Sequence, residues 1–246
     1  AGLNSRTAMQ ALTGATLLSL WERGASRHAL DRSALLAAVA RPEWPAAEIA
    51  DLPLGAVNAS LLRLRSACFG PHIAGHADCT QCGQRLAFTV DTRQMLPAHG
   101  DDNDDPAPRE TEVAGLRVRA PSLRDLAAVA AQTDARQAAR ALLARCTLAG
   151  DLALIDDAAL RQVEDALEAL DPQADLVLAL QCVACGHAGG AQLDAGALLW
   201  EEIEAHARVL LGEVHRLASA YGWSEAQILS LSPARRASYL AMVGGP

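Results

Sequence analysis

The chain has 246 residues, enough for one large domain or two modest ones with a real core. Half of its residues are apolar but only 3% are aromatic, so the core has to be built from Ala, Leu and Val, which suits packed helices better than a sheet sandwich. The formal net charge is -8 with no block of basic residues, which argues against a protein that draws its affinity from a phosphate backbone.

The first predicted element is an amphipathic helix over "ALTGATLLSLW", residues 11 to 21. It has the length of a signal h-region, but one upstream charge, Arg6, and no small-x-small cleavage pattern. No stretch approaches the roughly 20 apolar residues of a membrane helix, so a soluble, cytoplasmic chain is expected. Leu17, Leu18 and Trp21, then Leu30, Leu35, Leu36 and Val39, recur at three and four, with Asp31 placed to cap the second run. "RPEWPAAEIADLP" interrupts the pattern with three prolines, and a third helix is predicted from about Leu54 to Phe69, ended by "FGP". Residues 1–70 therefore form an N-terminal helical region.

The pattern then changes. Residues 71–96 hold "CTQCG" followed by "QRLAFTVD", where Leu86, Phe88 and Val90 alternate with Arg85, Ala87 and Thr89 as in a strand. Residues 97–121 are an acidic loop rich in Pro and Gly, with the adjacent carboxylates Asp104 and Asp105, and a short strand carrying Leu116 and Val118. Residues 122–174 are middle helices, opened by the pairs Ser122/Asp125 and Asp134/Gln137 and closed by a helix from about Ala158 to Leu170. Residues 175–195 are a strand-like run, "DLVLALQC", feeding a second motif, "CVACG". Residues 196–246 are C-terminal helices: a long one with Leu199, Ile203, Leu210, Val214, Leu217 and Tyr221 on one stripe, a stop at Gly222, a capping box at Ser224/Gln227, and a last start at Ser232–Pro233.

The two Cys-x-x-Cys-Gly motifs carry the chemistry. A two-residue spacer lets both sulfurs reach one ion at about 2.3 Å, and the following glycine accommodates a turn whose amides face the thiolates. Cys79, Cys82, Cys182 and Cys185 are thus predicted to hold one zinc ion as a split zinc ribbon of two knuckle hairpins. Between Cys82 and Cys182 lie 99 residues, against the roughly 15 to 20 of a compact ribbon, so a mainly helical segment is inserted, a length that loop-closure entropy tolerates. Three weaker alternatives are separate sites completed by His72 or His76 and by His187, structural disulfides, and thioredoxin-type redox work. Cys68 and Cys146 lie on helical stretches as small buried hydrophobes. The expected fold class is α+β, mainly α-helical.

Four thiolates close the coordination shell, so the zinc is expected to be structural rather than catalytic. There is no Gly-rich phosphate loop with Lys, no HExxH and no Gly-x-Ser-x-Gly elbow. His206 and His215 stand on different sides of a helix, and Glu202 and His206 are expected to form a solvated i, i+4 pair. Trp200, Tyr221, Trp223 and Tyr239 gather near the C-terminus, where the helix turn is expected to pack on itself. No enzyme and no small-molecule substrate is expected.

The run "LLGEVHRLASAYGWSEAQILSLSPARRASYLAMV", the N-terminal "LLSLWERGASRHALDRSALLAA", "ADLVLALQC" and the two knuckles in this order resemble a family of phage-like proteins of contractile tails and contractile injection systems, related to the T-even phage baseplate hub assembly chaperones. The resemblance spans nearly the whole chain and is most specific from His215 to Tyr239. It implies a non-enzymatic role in building or capping a baseplate, with baseplate or tail hub proteins as partners contacted through the terminal helices. It carries over the four knuckle cysteines and the turn Tyr221 to Ser224, and no catalytic residue. The rival readings are a zinc-ribbon nucleic-acid-binding regulator, which the acidic charge disfavours, and a metal-dependent hydrolase, which would need an open coordination position.

Overall fold

The computed structural model describes residues 12–96 and 107–243. The protein is α+β, with three small antiparallel sheets set among helices. Helices α1 (Gly14–Gly24), α2 (Ala29–Ala40), α3 (Leu54–Phe69) and the first half of α8 (Ala195–Tyr221) enclose the principal core. Leu20, Leu36, Leu61, Leu62, Leu199 and Ile203 are among its fully buried side chains, so the body is closed by aliphatic packing with little aromatic filling.

All 21 basic residues of the chain are arginines, and several tie elements together by forked pairs. Arg65 on α3 donates to both carboxylate oxygens of Glu202 on α8 at 2.9 and 2.6 Å, and also to the Gly70 carbonyl. The Arg65 side chain is almost wholly buried, so this planar fork fixes how α3 lies along α8. The expected Glu202–His206 side-chain pair does not form. Arg65 claims the carboxylate, while His206 Nδ1 contacts the Glu202 carbonyl at 2.8 Å and its ring lies 4.5 Å from Phe69.

Between α3 and α8 the chain leaves the body and returns. It passes through β1 (His72–Asp78) and β2 (Arg85–Asp91), one hairpin, and the single turn α4 (Thr92–Met95). Next come β3 (Glu110–Val113), β4 (Leu116–Arg119), α5 (Leu123–Val129), α6 (Ala135–Cys146), β5 (Thr147–Ala149) and α7 (Asp157–Leu170), then the second hairpin, β6 (Val177–Gln181) with β7 (Ala188–Gln192). Strands β3, β4 and β5 pair in that order, and Leu116 and Val118 of β4 pack with Leu143 and Val163 as a second, smaller core.

The inserted segment is fastened to α3 by polar contacts. Pro53 at the start of α3 has no capping side chain, and Asp171, just after α7, accepts the Gly55 amide at 2.8 Å instead. Arg109 donates to the same carboxylate at 3.0 Å, and Asn58 donates to the carbonyls of Gln173 and Ala174. A distant residue thus satisfies an amide that the helix start leaves open.

Beyond the body, Val214 and Leu217 of α8 join Ile228 of α9 (Glu225–Leu229) in a third core, flanked by Tyr239 of α10 (Pro233–Val243). Gly222 ends α8 in the left-handed conformation, and Ser224 and Gln227 form the reciprocal capping box. Tyr221 stacks on Trp223 at 4.6 Å, and Tyr239 meets both edge-on. Trp200 does not belong to this cluster: it sits in the principal core, with the Arg32 guanidinium 4.6 Å over its ring.

Several sequence expectations need correction. His28, not Asp31, caps α2, accepting the Leu30 amide, and Asp31 falls in the first turn. Asp134 caps α6, but Gln137 does not complete the box. The single strand predicted around Leu116 is the middle of three, since β3 emerges from the end of the predicted loop and β5 follows α6 directly. Most of the predicted acidic loop, including Asp104 and Asp105, lies outside the described residues. Among those described, no helix is long and apolar enough to cross a membrane.

Candidate metal centre

The two hairpins meet because each is rooted in the α3–α8 pair. Strand β1 starts just after α3 ends at Gly70, and buried Ile73 joins the principal core. At the other end of that hairpin Thr92, fully buried, donates both its amide and its hydroxyl to the Pro71 carbonyl and contacts the Ser66 hydroxyl on α3. The second hairpin is closed at its base by the Leu193 amide donating to the Leu176 carbonyl at 2.7 Å, and Asp194 then caps α8. With α3 and α8 side by side, the two hairpins project together.

The two tips repeat one geometry. In the first, the Cys79 amide donates to the Gln84 carbonyl at 2.9 Å and the Gly83 amide to the Cys79 carbonyl at 2.8 Å. In the second, the Cys182 amide donates to the His187 carbonyl at 2.8 Å and the Gly186 amide to the Cys182 carbonyl at 2.9 Å. Gly83 and Gly186 take positive φ, 72° and 73°, the conformation that only glycine adopts freely. That is the physical content of the Cys-x-x-Cys-Gly pattern here.

Sulfurs of Cys79, Cys82, Cys182 and Cys185 all lie within 4.8 Å of one another. Contacts of 3.7 Å between Cys79 and Cys185 and 3.6 Å between Cys82 and Cys182 cross from one hairpin to the other. A tetrahedron with metal–sulfur bonds of about 2.3 Å has edges of about 3.8 Å, so the spacing fits a metal ion of zinc's size. None of the four is in a disulfide. The first cysteine of each knuckle is buried and the second exposed.

The local electrostatics fit a cation as well. In the second knuckle the backbone amides of Cys185 and Ala184 hold the Cys182 thiol down to about 7, and in the first the amides of Cys82 and Gln81 lower Cys79 in the same way. At Cys82 and Cys185 the amides of Gln84 and His187 pull in that direction too, but the neighbouring sulfurs, which displace water from these otherwise exposed thiols and crowd them, win: Cys82 is raised and Cys185 pushed up to about 12. Four thiolates cannot share so small a space by themselves. A divalent cation removes the conflict and lets all four ionise.

The histidine alternatives are not assembled. His72 and His76 lie on β1 outside the sulfur cluster, and the His187 ring contacts the Thr80 hydroxyl at 3.2 Å across the two tips. Sequence reasoning missed that contact, since nothing in either tip alone shows which residues will face each other. Cys68 and Cys146 stand apart on α3 and α6, and burial raises both thiols, Cys146 to about 11. They are packing residues. No protein-family model matches the chain, and no curated protein or solved structure matches it significantly.

Proposed function

We propose that this is a non-enzymatic protein stapled by one zinc ion on Cys79, Cys82, Cys182 and Cys185, a split zinc ribbon, and that it acts in the cytoplasm in assembling the baseplate of a contractile tail or injection system. The observation that carries the zinc reading is the convergence of four sulfurs from two hairpins onto metal-ligand spacing. Four thiolates would leave the ion no open position for substrate, so its work is to join the hairpins. The baseplate reading is supported by the resemblance of the terminal helices. The same helices carry exposed apolar residues, Val209 and Tyr221 on α8 and Met242 on α10, which suit contact with baseplate or tail hub proteins.

Two measurements test the two halves separately. Metal analysis with thiol counting is expected to give about one zinc per chain with four thiols protected. Purification of the tagged chain from a producing cell is expected to bring tail hub or baseplate proteins with it. A chain that never associates with them refutes the assembly role, and duplex binding that weakens steeply with salt would replace it by the nucleic-acid regulator.

A further inference from the structure

Two sulfur contacts run between the hairpins, at 3.7 and 3.6 Å, and each joins an exposed thiol to a buried one: Cys185 to Cys79, and Cys82 to Cys182. An oxidant from solvent therefore meets Cys82 or Cys185 first, and a buried sulfur of the opposite hairpin lies within 3.7 Å of each. Building on the four-thiolate reading, we propose that the centre is a modification site for hydroperoxides, at which the metal staple is exchanged for a covalent one made of the cross-hairpin disulfides Cys82–Cys182 and Cys79–Cys185.

The chemistry balances. An exposed thiolate attacks the O–O bond of hydrogen peroxide, forming a sulfenic acid and releasing hydroxide, where an organic hydroperoxide would release its alkoxide. The facing thiolate attacks that sulfur, forming the S–S bond and releasing a second hydroxide. Two peroxides thus convert four thiolates to two disulfides, yield four hydroxides and release the metal as a divalent cation. Within-knuckle bridges would instead leave the hairpins unjoined once the metal had gone. Apart from the sulfurs, the two tips are joined among the described residues by the Thr80–His187 contact.

The test uses the full chain with its zinc, titrated with hydrogen peroxide. Zinc release is followed with a chromogenic chelator, and disulfides are mapped by mass spectrometry of a tryptic digest without reduction. Cleavage after arginine places Cys79 and Cys82 on peptide 66–85 and Cys182 and Cys185 on peptide 162–208. Cross-hairpin bridges join these two peptides, whereas within-knuckle bridges leave them separate. The expected result is complete zinc release with the joined peptide, and a melting temperature of the oxidised protein that a chelator no longer lowers. Separate peptides, retention of zinc under excess peroxide, or accumulation of sulfinic acids would overturn the proposal. Protein that purifies without metal yet gives the joined peptide would instead refute the zinc reading and leave the pairing intact.

Discussion

The helical body and the paired hairpins solve the problem of holding together in opposite ways. In the body, Leu36, Val57, Leu61 and Leu199 lose all contact with water, and each such side chain contributes about 1.5–3 kcal/mol through burial. In the hairpins the strands are largely exposed: β7 reads Ala-Gly-Gly-Ala-Gln and buries no side chain fully. Two-stranded hairpins of that kind are marginal in water by themselves. The body is therefore stable through area, whereas the tips depend on a few sulfur atoms and whatever they hold. A single atom matters far more in the second region than in the first.

The sharpest way to break this comparison is to remove one sulfur. Cys182→Ser is expected to reduce bound zinc from about one per chain to near zero, and to make Arg85 and Arg93 cut by trypsin at least about tenfold faster, as local opening exposes the hairpins. The far-UV helical signal should persist, because none of the four cysteines belongs to the principal core. Loss of that signal with the metal would show that the body depends on the tips.

The next largest effect is expected inside the body. A Cβ on Gly55 would lie 2.0 Å from the Asp171 carboxylate oxygen, and Gly55→Ala would also push away the acceptor of its own amide. Overpacking and the lost hydrogen bond together are expected to cost about 2–4 kcal/mol, read as a lower denaturation midpoint at unchanged zinc content. A simultaneous loss of zinc would mean that the body and the tips are less separable than the structure indicates.

How much of this was legible in the sequence follows the same division. Helix α3 was predicted with its observed limits, because Pro53 and Gly70 bracket a continuous apolar run. The capping boxes at Ser122 and Ser224 were equally readable, since their partners are three residues away. The two knuckle hairpins imply a partner strand in each, but β1 and β7 carry no signal that sets their limits: "HIAGHAD" and "AGGAQ" lack the β-branched alternation, and pairing with a neighbour makes them strands. The cysteines were found by spacing, but the Asp171–Gly55 and Arg65–Glu202 contacts span 116 and 137 residues and leave no local mark.

Two buried aspartates sharpen the picture through pH. Burial alone would raise Asp125, but hydrogen bonds from Arg119 and Ser122 outweigh it and hold the carboxyl at about 2. A depressed acid contributes stability above its unfolded value of 3.8, and that contribution is lost as pH falls toward 2. Asp171 is the reverse, raised by burial despite the Gly55 amide and Arg109, so its contribution to stability is full below 3.8 and is lost as pH rises from there through its folded value. Asp125→Asn should be destabilised relative to wild type by on the order of 1–2 kcal/mol at neutral pH, with the gap closing on acidification. The Asp171→Asn difference should move in the opposite direction. Comparing each variant with wild type at the same pH cancels the protonation of the thiols, and parallel profiles for the two variants would contradict the assignment.

The smallest effect concerns whether the body is one unit or two. Helix α8 runs 27 residues, and its first half packs in the principal core as far as Leu210, its second from Val214 in the small one. Gly212 falls between them, exposed, with no atom within 4 Å of where its Cβ would be. Glycine inside a helix costs about 0.5–1 kcal/mol relative to alanine, and here no close approach or positive φ requires it. Gly212→Ala is expected to stabilise the protein by about that amount, raising the melting temperature by roughly 1–4 °C in a chain of this size. If the two cores melt together, the whole transition moves. If only a minor early transition moves, the C-terminal helices unfold independently of the body, and they form a third region with its own stability.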